Sequence, residues 1–303
     1  MTNYINRNKT FLKAMLVISL PVIIQNIISI GLNMIDILMV GKLGENAISA
    51  VGLANRIYFI FTTICFGTFS GASIFIAQYW GAGDTKNIKK VLGIDLTIGS
   101  ILSILFSIAI IIFPRQFLRI FINNQSVIEL GADYLVIVAF SYFFTAISFA
   151  YNFSSRAVHK LKIPTIINAA ALCINTFLNW ILITGNLGFP AYGVKGAAVA
   201  TLIARIFEFF ALLYFIYIDK EHPLAGSIRE LTSWNFEMLI NILKTSFPVI
   251  LSETAWSVGT SVYFIAYGFI GSYAIAVVQV SYNISDFFQA LFFSITGYPN
   301  KIF

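Results

Sequence analysis

Ser19-Leu20-Pro21-Val22-Ile23 recurs as Ser246-Phe247-Pro248-Val249-Ile250, an offset of 227 residues. The same ungapped offset pairs Gly41 with Gly268, Gly44 with Gly271, Ala47 with Ala274, Ile48 with Ile275, Val51 with Val278 and Ile57 with Ile284. One register that links a helix, a glycine turn and the next helix marks an internal duplication. A duplication decides the architecture before any single motif does. Each copy opens on a long apolar run, so each copy begins with a membrane span.

Composition agrees with a bilayer as solvent. Of the 303 residues 58% are hydrophobic and 11% charged, and the mean hydropathy is +0.85; a soluble domain carries roughly 25% charge. A soluble globular protein and a disordered chain are both excluded. The net charge is +6, but Lys and Arg lie between apolar runs instead of gathering on one face, which excludes a nucleic-acid partner. Cys65 and Cys173 sit inside apolar runs and read as packing residues. His159 and His222 stand alone, without the neighbours a metal centre needs. No phosphate-cradling glycine loop, nucleophile elbow or pair of metal ligands at helical spacing occurs, so the chain reads as no enzyme and as needing no cofactor.

Eight spans are expected, at 14–40, 53–80, 91–113, 130–154, 164–184, 194–218, 239–266 and 273–297. Thirteen of the 19 Lys and Arg fall on the side of the N-terminus and five on the other, with Arg205 inside a span. Basic residues are retained inside, so the N-terminus is expected in the cytoplasm of a multi-pass plasma-membrane protein. The two copies begin at the first and seventh spans and enter the membrane in the same direction, which makes the repeat parallel. The expected fold is all-α. It comprises an N-terminal six-helix lobe (1–219), a cytoplasmic linker (220–238) and the first two helices of a second lobe (239–303). The second copy stops opposite Ile76, so the repeat predicts four further helices in the complete protein.

Ionisable groups inside spans are costly and therefore functional suspects. Asp36 has no basic residue one turn away; it is either a coupling group or a carboxylate hydrated near Gly41 or paired with a neighbour such as Arg56. Pro21 frees backbone carbonyls and can bend the same helix. Glu253 follows Pro248 on the seventh span and is the second suspect, either inside the lobe or at its inner edge. Arg205 and Glu208, about one turn apart, read as a structural ion pair. Asn175 and Asn179 stack on one helix face, where they either bond to neighbouring helices or offer hard oxygens to Na⁺ beside Asp36.

With these residues in view, the chain resembles the multidrug and toxic compound extrusion (MATE) family of cation-coupled antiporters. The resemblance rests on Ser19-Leu20-Pro21, on Asp36 followed by Val40-Gly41-Lys42-Leu43-Gly44, and on Ala50-Val51-Gly52-Leu53-Ala54. It rests further on the Asn175 and Asn179 pair and on Gly193-Val194-Lys195-Gly196-Ala197-Ala198-Val199-Ala200-Thr201. It implies twelve helices in two lobes around a central cavity, and export of small organic cations or drugs against Na⁺ or H⁺ by a protein that is monomeric when full length. It further implies that Asp36, Asn175, Asn179 and Thr201 form a cation site, with Pro21 as the responding bend, and that Glu253 serves the other lobe. Two competing readings are a flippase for lipid-linked sugars, which would need several inward basic residues, and a non-transporting membrane scaffold.

Overall fold

The computed structural model describes residues 31–32, 34–219 and 221–296. They form α1 (34–41), α2 (Glu45–Gly81), α3 (Thr85–Ile112), α4 (Pro114–Arg119), α5 (Gln125–Ala139) and α6 (Ser141–Ala157), followed by α7 (Lys162–Thr184), α8 (Val194–Ile218), α9 (Ile228–Leu231), α10 (Phe236–Ile270) and α11 (Ser272–Thr296). Among the described residues there is no strand. Of the described helices five, α2, α3, α7, α8 and α10, are long and apolar enough to cross a membrane, and α5 with α6 makes a sixth, bent span; α11, where the span at 273–297 is expected, is not among them. The expected span at 14–40 lies outside the described residues except for 31–32 and 34–40, and Pro21 lies outside them altogether. At 37 residues α2 starts eight residues before the expected 53, because the helix continues past the apolar stretch that the span was read from.

Local chemistry sets the ends of these helices. Gly81-Ala82-Gly83 closes α2 with Gly83 at φ 73, and the Asp84 carboxylate then caps α3 by accepting from the Asn87 amide at 3.0 Å. Before α9, Ser227 and Glu230 make a reciprocal capping box. Glu230 also receives Lys89 Nζ at 2.8 Å, and Gly93 lets the Leu231 carbonyl approach α3 where a Cβ would collide with it. The segment before α10 is thereby fixed to α3.

The expected single span at 130–154 is corrected to two helices bent by 52°. No proline causes this. Ser141 Oγ donates to the Val138 carbonyl at 2.6 Å, and Ser107 Oγ, from α3, donates to the Ala139 carbonyl at 2.7 Å. Two hydroxyls thus draw on consecutive carbonyls that a straight helix would use, and the axis turns there.

The duplication is visible in the backbone. Gly44 (φ 104, ψ 172) precedes α2 and its counterpart Gly271 (φ 132, ψ 178) precedes α11, a conformation open to glycine alone. Equivalent residues also touch: Ser272 Oγ donates to Glu45 Oε1 at 3.3 Å, and Gly52 approaches Gln279 so closely that a Cβ would lie 2.9 Å from Oε1. Positions separated by the repeat offset meet only beside a two-fold axis. The two contacts are seven residues apart, two turns on one face, so the pseudo-two-fold axis runs along the α2 and α11 contact.

Packing centres on α2. Phe61 is fully buried and stacks on Tyr142 with centroids 4.8 Å apart. Lipid is as apolar as a core side chain, so burial from lipid supplies little, and close approach with dispersion and hydrogen bonds holds the helices together. Gly67 and Gly71 meet the α10 backbone at Ile250 and Ser246, and Ser246 Oγ donates to the Thr68 carbonyl at 3.1 Å.

Candidate functional site

The α7 and α8 helices form an antiparallel pair, and the Asn face of α7 turns toward α1. Asn179 Nδ2 donates to Asn175 Oδ1 at 3.3 Å, Asn175 Nδ2 donates to Thr201 Oγ1 at 3.4 Å, and Thr201 Oγ1 donates to the Ala197 carbonyl at 3.0 Å. With the Asn175 amide rotated by half a turn, its nitrogen donates to Asp36 Oδ2 at 2.9 Å and its oxygen accepts from the Thr201 backbone amide at 3.2 Å. The two orientations exchange a nitrogen for an oxygen facing the carboxylate. A charged Asp36 favours the nitrogen, and a cation or a proton on Asp36 favours the oxygen.

Three oxygens around this point have no partner although they are buried: Asp36 Oδ1, Asn179 Oδ1 and Thr176 Oγ1. Together with Asn175 Oδ1 and Thr201 Oγ1 they are hard oxygen donors, the type that suits Na⁺ and disfavours soft metals. Asp36, Asn175, Asn179 and Thr201 line a cavity of about 400 Å³, whose wall also includes Tyr58 and Arg205. Deeper along α8, Arg205 Nη1 donates to Glu208 Oε2 at 2.7 Å, while Asn168 Nδ2 donates to Glu208 Oε1 at 3.3 Å. The ion pair expected from their spacing is present.

The structure therefore brings Asp36, Asn175, Asn179 and Thr201 to one place. Glu253 does not join them: it is half-buried on α10 and absent from the cavity wall. Pro248 lies inside α10. Arg56, an alternative partner for Asp36, stacks its guanidinium 4.4 Å from the Phe264 ring. Thr176 and the two wall phenols, Tyr58 and Tyr134, were not among the expected site residues. Thr176 had a signal in its position beside Asn175, whereas the tyrosines had none, since aromatic residues fill every span. Asp95 is fully buried on α3 with both carboxylate oxygens unpartnered, and it lies off this cavity.

Comparison with known proteins identifies the family and the fold. Residues 21–181, more than half of the chain, match the MatE family. The probable multidrug resistance protein YoeA of Bacillus subtilis is 27% identical over 91% of this chain and 60% of its own length. The probable multidrug resistance protein NorM of Thermotoga maritima is 25% identical over 82% of this chain and 53% of its own length. The chain thus spans little more than half the length of these relatives. Among solved structures, an inward-facing multidrug resistance MATE family transporter of the MOP superfamily aligns with a TM-score of 0.77 at 21% identity, covering 92% of this chain and 63% of that one. A MOP superfamily transporter from Pyrococcus furiosus aligns at 0.72 with 22% identity, covering 93% of this chain and 68% of that one. At such identity these structures speak for the fold.

Proposed function

Because the chain belongs to the MatE family, a family of transporters and not of enzymes, we propose that it carries the ion-coupling lobe of a multidrug efflux antiporter. The observation that carries this reading is the set of oxygens around Asp36, buried and unpartnered, facing a cavity large enough for a small drug. A charged carboxylate inside a span needs a counter-charge or donors. When the site holds no ion, the rotated Asn175 amide supplies a donor at 2.9 Å. When Na⁺ arrives, the amide turns its oxygen inward, where it joins Asp36, Asn179 and Thr201 around the ion. A proton has the same effect, since protonated Asp36 donates across that gap to Asn175 Oδ1.

Either ion discharges the carboxylate that an organic cation would otherwise neutralise, so ion and drug exclude one another. Exclusion of this kind couples the two fluxes when the lobes alternate between an inward and an outward opening. The basic-residue bias supports an N-terminus in the cytoplasm of a plasma-membrane protein. A lipid-linked sugar phosphate would need several cations on the wall, and among the described residues the cavity offers one guanidinium, that of Arg205.

The test is Asp36→Asn in the full-length protein, which removes the charge at almost constant volume. Efflux of a cationic dye should be lost while membrane insertion is retained, and unchanged efflux at normal expression overturns the reading.

A further inference from the structure

The second copy of the repeat closes on the first at the Glu45 end of α2. There Ser272 Oγ reaches Glu45, Ser49 Oγ donates to the Ser272 carbonyl at 2.7 Å, and Gly52 meets Gln279. Ile275 of α11 is fully buried and Phe264 of α10 is 2% exposed, in one core with Leu53, Ile57 and Phe121 of the first lobe. Arg56 stands in this contact, about 16 Å into α2 from Glu45. A cation at the end of a span usually runs along its helix to the membrane surface. Arg56 instead crosses to the second lobe, and its Nε and Nη2 are buried. Its guanidinium lies 4.4 Å from the centroid of Phe264, 5.2 Å from that of Phe59 and 5.8 Å from that of Tyr282. At such distances a cation is drawn to the negative face of a ring, and more strongly where water is excluded.

We infer that Arg56 is a positioning residue of the transport cycle, the latch that holds this end of the two lobes closed. The three rings divide between the lobes. Phe59 is one turn from Arg56 on the same helix and moves with it, whereas Phe264 and Tyr282 belong to the second copy. Those two stack with centroids 5.6 Å apart and planes 23° from parallel, so α10 and α11 present them as one surface. Separation of the lobes at this end takes both away and leaves the guanidinium to water. The clasp is therefore made in one state of the cycle and broken in the other, and it biases the equilibrium between them by its own strength. The inference rests on the proposed alternation of the lobes and adds the residue that holds one of the two closures.

The probe is Ser49→Cys in the purified full-length protein in lipid, with Cys65 and Cys173 replaced by Ala. Ser49 is fully buried against Ser272, so labelling by a thiol-reactive dye samples separation of α11 from α2. When reclosure is fast, its rate scales with the open fraction. Arg56→Met removes the charge and keeps an apolar side chain, and it should label about tenfold faster. Phe264→Leu removes the principal ring and should also label faster. It leaves Arg56 in place and so tests the clasp even where Arg56→Met fails to fold. The double variant should fall well short of the product of the two single effects, since both break one interaction. Arg56→Lys retains a cation at the rings and should recover most of the slow rate. Labelling of Arg56→Met at the parental rate overturns the inference, as does a double variant that reaches the full product or an Arg56→Lys variant as fast as Arg56→Met. Failure of the antiport reading looks different: efflux of a cationic dye would then survive Asp36→Asn, whatever the labelling shows.

Discussion

Adding one carbon at Gly71 should loosen the two longest helices of the chain. A Cβ built there would lie 2.6 Å from Ser246 Cα and 2.7 Å from its Cβ. Carbon atoms in contact sit about 3.5–4.0 Å apart, so α10 must retreat by about 1 Å. Ser246 is fully buried, and retreat stretches its 3.1 Å bond to the Thr68 carbonyl beyond bonding range. Overpacking costs about 1–3 kcal/mol, and the lost hydrogen bond about 1 kcal/mol more. Against this, Ala gains about 1 kcal/mol over Gly within a helix. Gly71→Ala is therefore destabilising by about 1–3 kcal/mol. Gly259, in α10, has nothing within 4 Å of its Cβ position, so Gly259→Ala keeps the helix gain and is stabilising. Ser257, fully buried on α10 and seven residues beyond Ile250 on the same face, offers a site for the readout. With Cys65 and Cys173 first replaced by Ala, labelling of Ser257→Cys by a thiol-reactive dye reports opening of this interface. A 2 kcal/mol gap between the two variants corresponds to about thirtyfold in labelling. Labelling no faster in Gly71→Ala than in Gly259→Ala would refute close packing as what joins α2 to α10.

Two further outcomes follow from the geometry. Glu230, held by Lys89 and by the Ser227 amide and hydroxyl, titrates at about 2 instead of 4.5. Its contribution is thus complete above pH 4.5 and is lost as pH falls through about 2. Docking of the segment around α9, followed by Trp234 fluorescence, should persist at about pH 3.5, where an ordinary Glu is mostly protonated, and Glu230→Gln should loosen it at any pH above about 2. Ser107→Ala with Ser141→Ala returns the Val138 and Ala139 carbonyls to the helix and should straighten the 52° bend. Spin labels at 133 and 156 should then move apart by about 3 Å, from 1.5 Å of rise per residue, and an unchanged distance would assign the bend to another cause.

How far the sequence foretold this structure depended on the range of the interaction concerned. The pairing of Gly44 with Gly271 could be read because the positive-φ turn at both positions requires the same residue. Asn175 and Asn179 could be placed on one face because four residues make about one turn, and lipid exposure is unfavourable for amides. The bend between α5 and α6 could not be read. It depends on Ser107, a residue on another helix, and serine occurs throughout the spans without bending them. The ion pair of Arg205 and Glu208 was legible from their spacing, but the sequence carries no sign of which partner faces the cavity, since Asn168 on α7 decides it. For Glu253 the reverse holds. Its place inside a span was a sound reason for suspicion, yet its distance from the Asp36 cavity follows from how α10 packs on α2.

Sodium binding to the purified full-length protein as a function of pH tests the shared carboxylate most directly. If Na⁺ and H⁺ compete for Asp36, each unit of pH lost below its titration point should weaken apparent Na⁺ affinity by up to about tenfold, the limit for exchange of one proton. Affinity should become independent of pH above that point. Asp36→Asn should abolish the dependence together with most of the affinity. A Na⁺ affinity that is unaltered by pH across the range in which the dye is exported, and that survives Asp36→Asn, would contradict the account and move the coupling site away from α1.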